Sequence, residues 1–305
     1  MEKVLITGIA GGQGRLLARR LRGIYEVCGV DRVPWESHPR EVAVHVLDVR
    51  KKKFEDVIRE ELPNVVVHMG FIRHFRGKDR ERHDVNVRGT KLLLDHCVNH
   101  GVQSLIVVSS SYVYGAFPEN PFGLDEDSPL SASRSYPEIR DLVEVDTLAS
   151  AFLWRYPLIR TCVLRPVNVL GTNVHSMIGQ YLREPRVPTL MGYDPMLQFI
   201  HEEDLSEAIA LALDRGLQGV FNVAGPGEVP LHTAIRETGG TALPLPAPLA
   251  RLAFERLFKW RMIPYPAGAL DYLRYPVTVS GDRFAEATGF RPLFGLGEIF
   301  DSVRG

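Results

Sequence analysis

The sequence predicts an α/β protein, a doubly wound parallel sheet with a smaller C-terminal lobe. Three observations predict it. Short, continuously apolar β-rich runs alternate with helical patterns as far as Gly171. A glycine triplet stands directly between the first of those runs and the first helical pattern. After Gly171 the alternation loosens into sequence richer in Pro, Gly and Met. Strands that are apolar without alternation are buried on both faces, and parallel strands joined by right-handed helical crossovers give a sheet covered on both sides.

The elements follow in order. "KVLIT" (3–7) is a buried strand, and the helix behind it begins at "GGQG". "YEVCGVD" (25–31) and "VAVHVLDV" (42–49) are the second and third strands. "FEDVIREEL" (54–62) is a helix and "NVVVHMG" (64–70) the fourth strand. A long helix over 84–101 ends at a glycine, and "QSLIVVSSS" (103–111) is the fifth strand. Residues 140–156 are helical, and "RTCVLRPVNV" (160–169) is the sixth strand. "FIHEEDLSEAIALAL" (199–213) reads as a helix with an acidic start, and "VFNVAG" (220–225) as a strand. The expected cofactor domain is 1–171 plus about 197–225, and the expected substrate lobe is about 172–196 and 226–305.

Composition excludes several classes. The chain has 305 residues, 45% hydrophobic and 24% charged, with a net charge of −1. That balance supplies no field for nucleic acid or an anionic surface. The "RKKK" run at 50–53 is short and reads as a solvated helix start. Cys28, Cys97 and Cys162 lie in apolar runs without metal-like spacing, which suits buried thiols of a reducing compartment. The first strand begins at the N-terminus, no apolar run is long enough to span a membrane, and a cytoplasmic protein is expected. No metal site is expected, because His68, His74, His175 and His201 are scattered.

The glycines Gly8, Gly11 and Gly14 have the placement of a dinucleotide cradle. The first permits the tight turn, the next the approach of a pyrophosphate, and the last close helix–strand packing. The helix N-terminus turns its N–H groups toward the phosphates. Asp31 ends the second strand 17 residues after Gly14 and can accept from ribose hydroxyls. It favours NAD. Arg32 beside it can pair with a 2′-phosphate, so NADP stays open. Asp48, at the end of the third strand, is a candidate acceptor for the adenine amino group, or a plain strand-end acid.

The chain as a whole resembles the extended short-chain dehydrogenase/reductase family, whose cofactor domain is a Rossmann fold, and within it the NAD-dependent epimerase/dehydratases such as the UDP-glucose 4-epimerases. "TGIAGGQG" resembles TGxxGxxG, and "VVVHMG" is similar to VxHxA with Gly70 for Ala. "NVRGT" resembles NxxGT, "SSSYVYG" the serine strand running into VYG, and "LRPVNVLG" LRPxNVYG. "FIHEEDL" and "DRFAEATGFRP" match the later motifs. The resemblance implies a cofactor set of Gly8, Gly11, Gly12, Gln13, Gly14, Asp31, Arg32, Asp48, Val49, Met69, Gly70, Asn86, Tyr136 and Arg140. Asn86 would brace the cofactor-side loops. Ser110, four residues before Tyr114, takes the position of the catalytic Ser/Thr. Tyr136, 26 residues after Ser110, takes that of the acid/base tyrosine. Asn168 and Arg274, with Ser110, fall where the family meets substrate.

One position departs from the pattern. The Tyr-x-x-x-Lys lysine is Arg140, and no lysine occurs between Lys91 and Lys259. Tyrosine works as a base only when its pKa falls from about 10, which a nearby cation promotes. Residues four apart on a helix share a face, so Arg140 is expected to tune Tyr136, although its fork is not equivalent to an ammonium. The "RDFIH" arginine of sugar-nucleotide enzymes is also replaced, by Leu197 in "MLQFIH". Three functions follow as expectations. The first is an NAD(P)-dependent sugar-nucleotide epimerase/dehydratase-like enzyme, with a UDP-sugar as candidate substrate. The second is a reductase or dehydrogenase of an apolar alcohol or ketone. The third is a non-catalytic nicotinamide-binding sensor. The family resemblance adds a homodimer paired through helices 84–100 and 137–154.

Overall fold

A computed structural model describes residues 1–75 and 79–304. The first half alternates as its sequence does: β1 (Lys3–Thr7), α1 (Gly12–Leu21), β2 (Glu26–Asp31), β3 (Ala43–Val46), α2 (Lys52–Glu61) and β4 (Val65–His68). After it come α3 (Asp79–His83), one turn of π-helix (Asp84–Arg88), α4 (Gly89–Asn99), β5 (Ser104–Val108), α5 (Arg140–Arg155) and β6 (Arg160–Pro166). The remainder is β7 (Asn168–Leu170), α6 (Met177–Leu182), β8 (Arg186–Leu190), β9 (Met196–His201), α7 (Glu202–Asp214) and β10 (Gly219–Val223). It closes with β11 (Glu228–Pro230), α8 (Leu231–Glu237), β12 (Thr241–Leu245), α9 (Ala247–Lys259), α10 (Asp282–Thr288) and α11 (Leu296–Asp301).

Seven strands form one parallel sheet in the order β10-β6-β5-β4-β1-β2-β3. The order reverses between β1 and β4, so their C-terminal ends open a crevice where doubly wound sheets bind ligands. Residues of both sheet faces are buried: Val4 and Ile6 pack into one cluster, Leu5 and Val66 into the other. This explains why β1, β4 and β5 read as unbroken apolar runs. Arg165 of β6 and Asp146 of α5 form a buried two-point pair, at 2.7 and 2.9 Å.

Two secondary-structure expectations are corrected. The sixth strand, expected over 160–169, ends at Pro166, and β7 belongs to a different sheet. The FIH stretch, expected to open a helix, does not. Residues 196–201 are a strand, paired with β7 and β11 in a separate three-stranded sheet. The helix begins only at Glu202, after His201, whose Nδ1 accepts from the Glu203 N–H at 3.3 Å. The aromatic and β-branched residues here suit a pleated surface better than a helix start. A third, two-stranded sheet pairs β8 with β12. Among the described residues no helix is long and apolar enough to cross a membrane.

Candidate functional site

A cleft of about 610 Å³ runs over the C-terminal ends of β1, β4 and β5 and under the residues that follow Gly171. Gly8, Gly11, Gly12, Gln13, Gly14 and Met69 line it. Gly8 has φ +76, and a Cβ there would lie 2.9 Å from the Cα of Gly70. A Cβ on Gly12 would lie 2.0 Å from the carbonyl oxygen of Asn173. The glycines are therefore needed for close packing of backbone on backbone within the protein, and they bring the N-terminus of α1 to the cleft wall, where a pyrophosphate would meet its N–H groups. The residues present fit a dinucleotide.

Other members of the expected cofactor set are placed as follows. Asp31 Oδ2 accepts from the Ala10 N–H at 3.0 Å, which ties the second strand to the glycine loop. Arg32 faces Glu81 at 3.3 Å and Asp48 at 3.9 Å. The carboxylate of Asp48 is held by Arg50, through Nε at 2.9 Å and Nη2 at 2.5 Å. That hydrogen bond keeps its pKa below the usual carboxylate value. Val49 packs with the core cluster under α4. Gln13 donates to the Glu202 carbonyl at 3.0 Å and to Ser206 Oγ at 2.8 Å. Glu202, itself 2% exposed, accepts from the N–H groups of Asn173 and Val174 at 3.0 and 2.8 Å. The glycine helix and the segment after Gly171 are thus joined through α7.

Beneath the crevice lies a buried polar chain. His68 meets Thr7 Oγ1 at 2.7 Å and Thr90 Oγ1 at 3.0 Å. The Thr90 hydroxyl donates to the Asn86 carbonyl. That leaves His68 Nε2–H as donor to Thr90 and Nδ1 as acceptor from Thr7, a tautomer fixed by the network. Thr7 Oγ1 in turn accepts from the N–H groups of Met69 and Gly70, at 3.2 and 3.1 Å. Burial pushes the His68 pKa down to about 3, so the ring is neutral.

The expected catalytic residues divide. Ser110 follows β5 and lines the cleft, its Oγ accepting from the Tyr112 N–H at 3.2 Å. Tyr136 lines the same cleft and is 1% exposed. Its ring packs on Phe75 and Tyr272, with centroids at 5.6 and 5.9 Å. Its hydroxyl is buried with no hydrogen-bond partner among the described residues. Burial, with neighbouring Tyr272 and Glu138, pushes the Tyr136 pKa well above its ordinary value, and Arg82 pulls against that shift.

Arg140 is not where the helix argument puts it. Tyr136 has φ −130 and ψ 77, outside the helix, and α5 begins only at Arg140. Pro137 is the cause, since a residue before proline is driven out of the α region. The four-residue spacing therefore does not place the two on one face. The Arg140 side chain is exposed and is not among the cleft-lining residues, whereas Ile139 and Asp141 are.

Three charged residues that the motif reading passes over stand in the cleft instead. Arg82 donates to Asp141 at 3.1 Å and to the Glu138 carbonyl at 2.7 Å, and its guanidinium lies 4.8 Å from the Phe75 ring centroid. Asp141 also accepts from Asn86 Nδ2 at 2.6 Å. Asn86 grips the Ile72 backbone at both ends, at 2.8 and 2.9 Å. Arg73 donates to the Val108 carbonyl at 2.7 Å, at the end of β5. The only trace of this in the sequence is the four-residue spacing of Arg82 and Asn86.

On the substrate side, Asn168 is engaged at both ends. Tyr112 Oη donates to its Oδ1, and its Nδ2 donates to the Gln198 carbonyl, each at 2.9 Å. Arg274 does not line the cleft; its guanidinium stands 4.8 and 4.9 Å from the ring centroids of Tyr193 and Tyr275. Away from the cleft, Glu55, His96 and His100 bring ligand-type atoms within 4.8 Å of one another, an arrangement that the chain-wide scatter of histidines does not display.

Comparison with known proteins adds the following. A family model described as the NAD dependent epimerase/dehydratase family matches residues 4–224. An uncharacterized protein of Mycobacterium tuberculosis (strain ATCC 25618 / H37Rv) is 28% identical over 309 residues, covering 98% of this chain and 82% of that protein. The solved UDP-glucose 4-epimerase of Thermus thermophilus, in complex with NAD, superposes with a TM-score of 0.77 at 23% identity, covering 99% of both chains. The dTDP-glucose 4,6-dehydratase of Bacillus anthracis str. Ames, in complex with NAD, does so with a TM-score of 0.77 at 18% identity, covering 99% of this chain and 96% of that one.

Proposed function

The chain belongs to the NAD-dependent epimerase/dehydratase family, and on that premise we propose that it binds NAD in the glycine cradle and carries out alcohol–carbonyl chemistry at Tyr136. The observation that carries this reading is one cleft holding three things: the cradle, Ser110, and a buried tyrosine hydroxyl without a partner. NAD, when bound, supplies the acceptor or donor of the hydride. Gly8, Gly11, Gly12 and Gly14 hold its pyrophosphate, and Asp31, Met69, Gly70 and Asn86 shape the rest of its bed. Arg32, already facing Glu81 and Asp48, is not spare for a 2′-phosphate, which favours NAD over NADP.

The chain's own groups then handle the proton. Buried as it is, Tyr136 stands protonated and donates to a carbonyl oxygen; in reverse it receives the alcohol proton. Ser110 holds that oxygen. Arg82 is a cation that opposes the upward shift of the Tyr136 pKa. The solved relatives are named for UDP- and dTDP-sugars, which makes a nucleotide sugar the first substrate class to test. A second reading, an apolar alcohol or ketone, is favoured by the lining beyond Tyr136. A homodimer paired through α4 and α5 is in keeping with the exposed Trp154 at the end of α5 and Leu158 in the turn beyond it, and light scattering tests it.

The deciding experiment is absorbance of the purified protein with NADH or NAD and a substrate panel. Turnover that disappears in Tyr136→Phe while NAD affinity is kept supports the reading. Turnover that survives the substitution overturns it.

A further inference from the structure

Beyond Tyr136 the cleft continues into a side chamber. The two share Tyr112, Tyr136, Asn168, Met177, Ile178 and Tyr265 in their walls. The rest of the chamber is formed largely by apolar and aromatic residues, among them Leu197, Phe254, Tyr272 and Val277. No Lys, Arg or His is among its lining residues. The chamber holds only about 60 Å³ of free volume, against about 610 Å³ in the cleft it opens from. Resting on the hydride-transfer reading above, we infer that it receives only the reacting edge of an uncharged, apolar ring alcohol or ketone carrying one oxygen, the rest of the ligand lying in the cleft, and not a nucleoside diphosphate sugar.

Charge keeps a diphosphate out of the chamber. A nucleoside diphosphate brings two negative charges, and burying them without cations is prohibitive. At the chamber itself two positions could supply a cation, and neither does; Arg73 and Arg82, in the main cleft, are tied to the Val108 carbonyl and to Asp141. Position 197 is Leu, and Arg274 is sandwiched against Tyr193 and Tyr275 outside the lining. Gln198 beside Leu197 is spent on the protein itself. Its Nε2 donates to Glu228 at 2.9 Å and to the Val279 carbonyl at 3.0 Å, and its Oε1 accepts from the Val279 N–H at 2.8 Å.

The polar atoms of the chamber walls point the same way. A pyranose needs partners for several hydroxyls, and most polar side chains here are already paired. Tyr272 Oη donates to the Tyr112 carbonyl at 2.7 Å, and Tyr112 Oη to Asn168 at 2.9 Å. Tyr181 Oη donates to the Pro188 carbonyl at 2.5 Å, and Asn168 Nδ2 is taken by Gln198. The Tyr136 hydroxyl is buried and unpartnered among the described residues. A ligand with one oxygen at Tyr136 and carbon elsewhere satisfies that donor and leaves the existing bonds intact. The tyrosine rings offer flat faces to it: Tyr112 and Tyr272 stand 4.6 Å apart between centroids, and Tyr272 is 5.9 Å from Tyr136.

The test is calorimetric binding to the NAD-loaded protein, with 2-tetralone and UDP-glucose as probes. The expected result is a dissociation constant for 2-tetralone at least about tenfold below that for UDP-glucose. Leu197→Arg is expected to reverse that order by placing a cation in the chamber. Should Leu197→Arg fail to fold by circular dichroism, Met177→Lys, at a half-buried wall position, makes the same change. UDP-glucose binding as tightly as 2-tetralone, or 2-tetralone failing to bind, overturns the inference. The hydride-transfer reading fails separately. If 2-tetralone binds as expected but the protein supplied with NADH leaves it unreduced and the NADH unconsumed, the ligand class stands and the chemistry does not. If UDP-glucose is turned over in a Tyr136-dependent way, the chemistry stands and the ligand class does not.

Discussion

Arg82 and Asp141 form an ion pair at 3.1 Å with side chains only 7% and 6% exposed, one residue beyond the exposed Arg140. Removing one partner of a buried pair strands the other charge, which typically costs about 3–5 kcal/mol. Arg82→Leu is therefore expected to lose stability on that scale in urea unfolding. Arg140→Ala, by contrast, should stay within about 0.5 kcal/mol of the parent, as surface changes do. Equal losses for the two variants would remove the pair from its proposed place at the site.

Tyr136→Phe separates structure from chemistry. The hydroxyl has no partner to lose among the described residues, so the melting temperature should hold or rise slightly. Loss of a positioned acid/base group should still cut turnover by about 100-fold or more. A large drop in melting temperature would mean that the hydroxyl is paired in solution.

Alkaline pH should destabilise the protein through its buried tyrosines. Tyr136 and Tyr272 both have pKa values pushed well above the ordinary tyrosine value, first by burial. A folded-state pKa above the unfolded value of about 10 gives stability that is fully present below that pH and is lost as pH rises past it. Tyrosinate absorbance from these rings should appear together with unfolding, not before it. Smooth titration of every tyrosine near pH 10 with the fold intact would contradict their burial.

Gly12→Ala tests the cradle's reach into the segment after Gly171. The added Cβ would meet the Asn173 carbonyl at 2.0 Å, backbone against backbone, with no flexible side chain to yield. The expected cost is about 1–3 kcal/mol, together with weaker NAD binding read by fluorescence titration. Gly23→Ala serves as a control of the same chemistry; it has open space around it and only its φ of +88 to resist.

The fold was legible because its signals are local. The apolar runs of β1, β4 and β5 and the Gly8–Gly14 turn carry their own periodicity and turn chemistry, and the strands appear in the expected places. Ser110 and Tyr136 were legible through motif spacing alone, and both line the cleft. Arg140 was misread because a helix-face argument was carried across Pro137, before which the backbone is not helical. Arg82, Arg73 and Asp141 were not legible as a group, the four-residue spacing of Arg82 and Asn86 being their only trace. Each takes its place from chain closure across dozens of residues, such as the 59 positions between Arg82 and Asp141, which no local pattern encodes.

The position of β10 bears on how the chain comes off the ribosome. Strand β6 is complete at Pro166, but its outer neighbour is Gly219–Val223. Until that segment emerges, the edge of the nascent sheet is β6, a strand that is buried in the finished fold, and such an exposed apolar edge is the kind of surface that recruits other chains. Gln13 meanwhile waits for Glu202 and Ser206 to hold the first helix. Synthesis of the cradle therefore precedes its closure, and a message cut short between those points yields a product suited to aggregation rather than to dinucleotide binding.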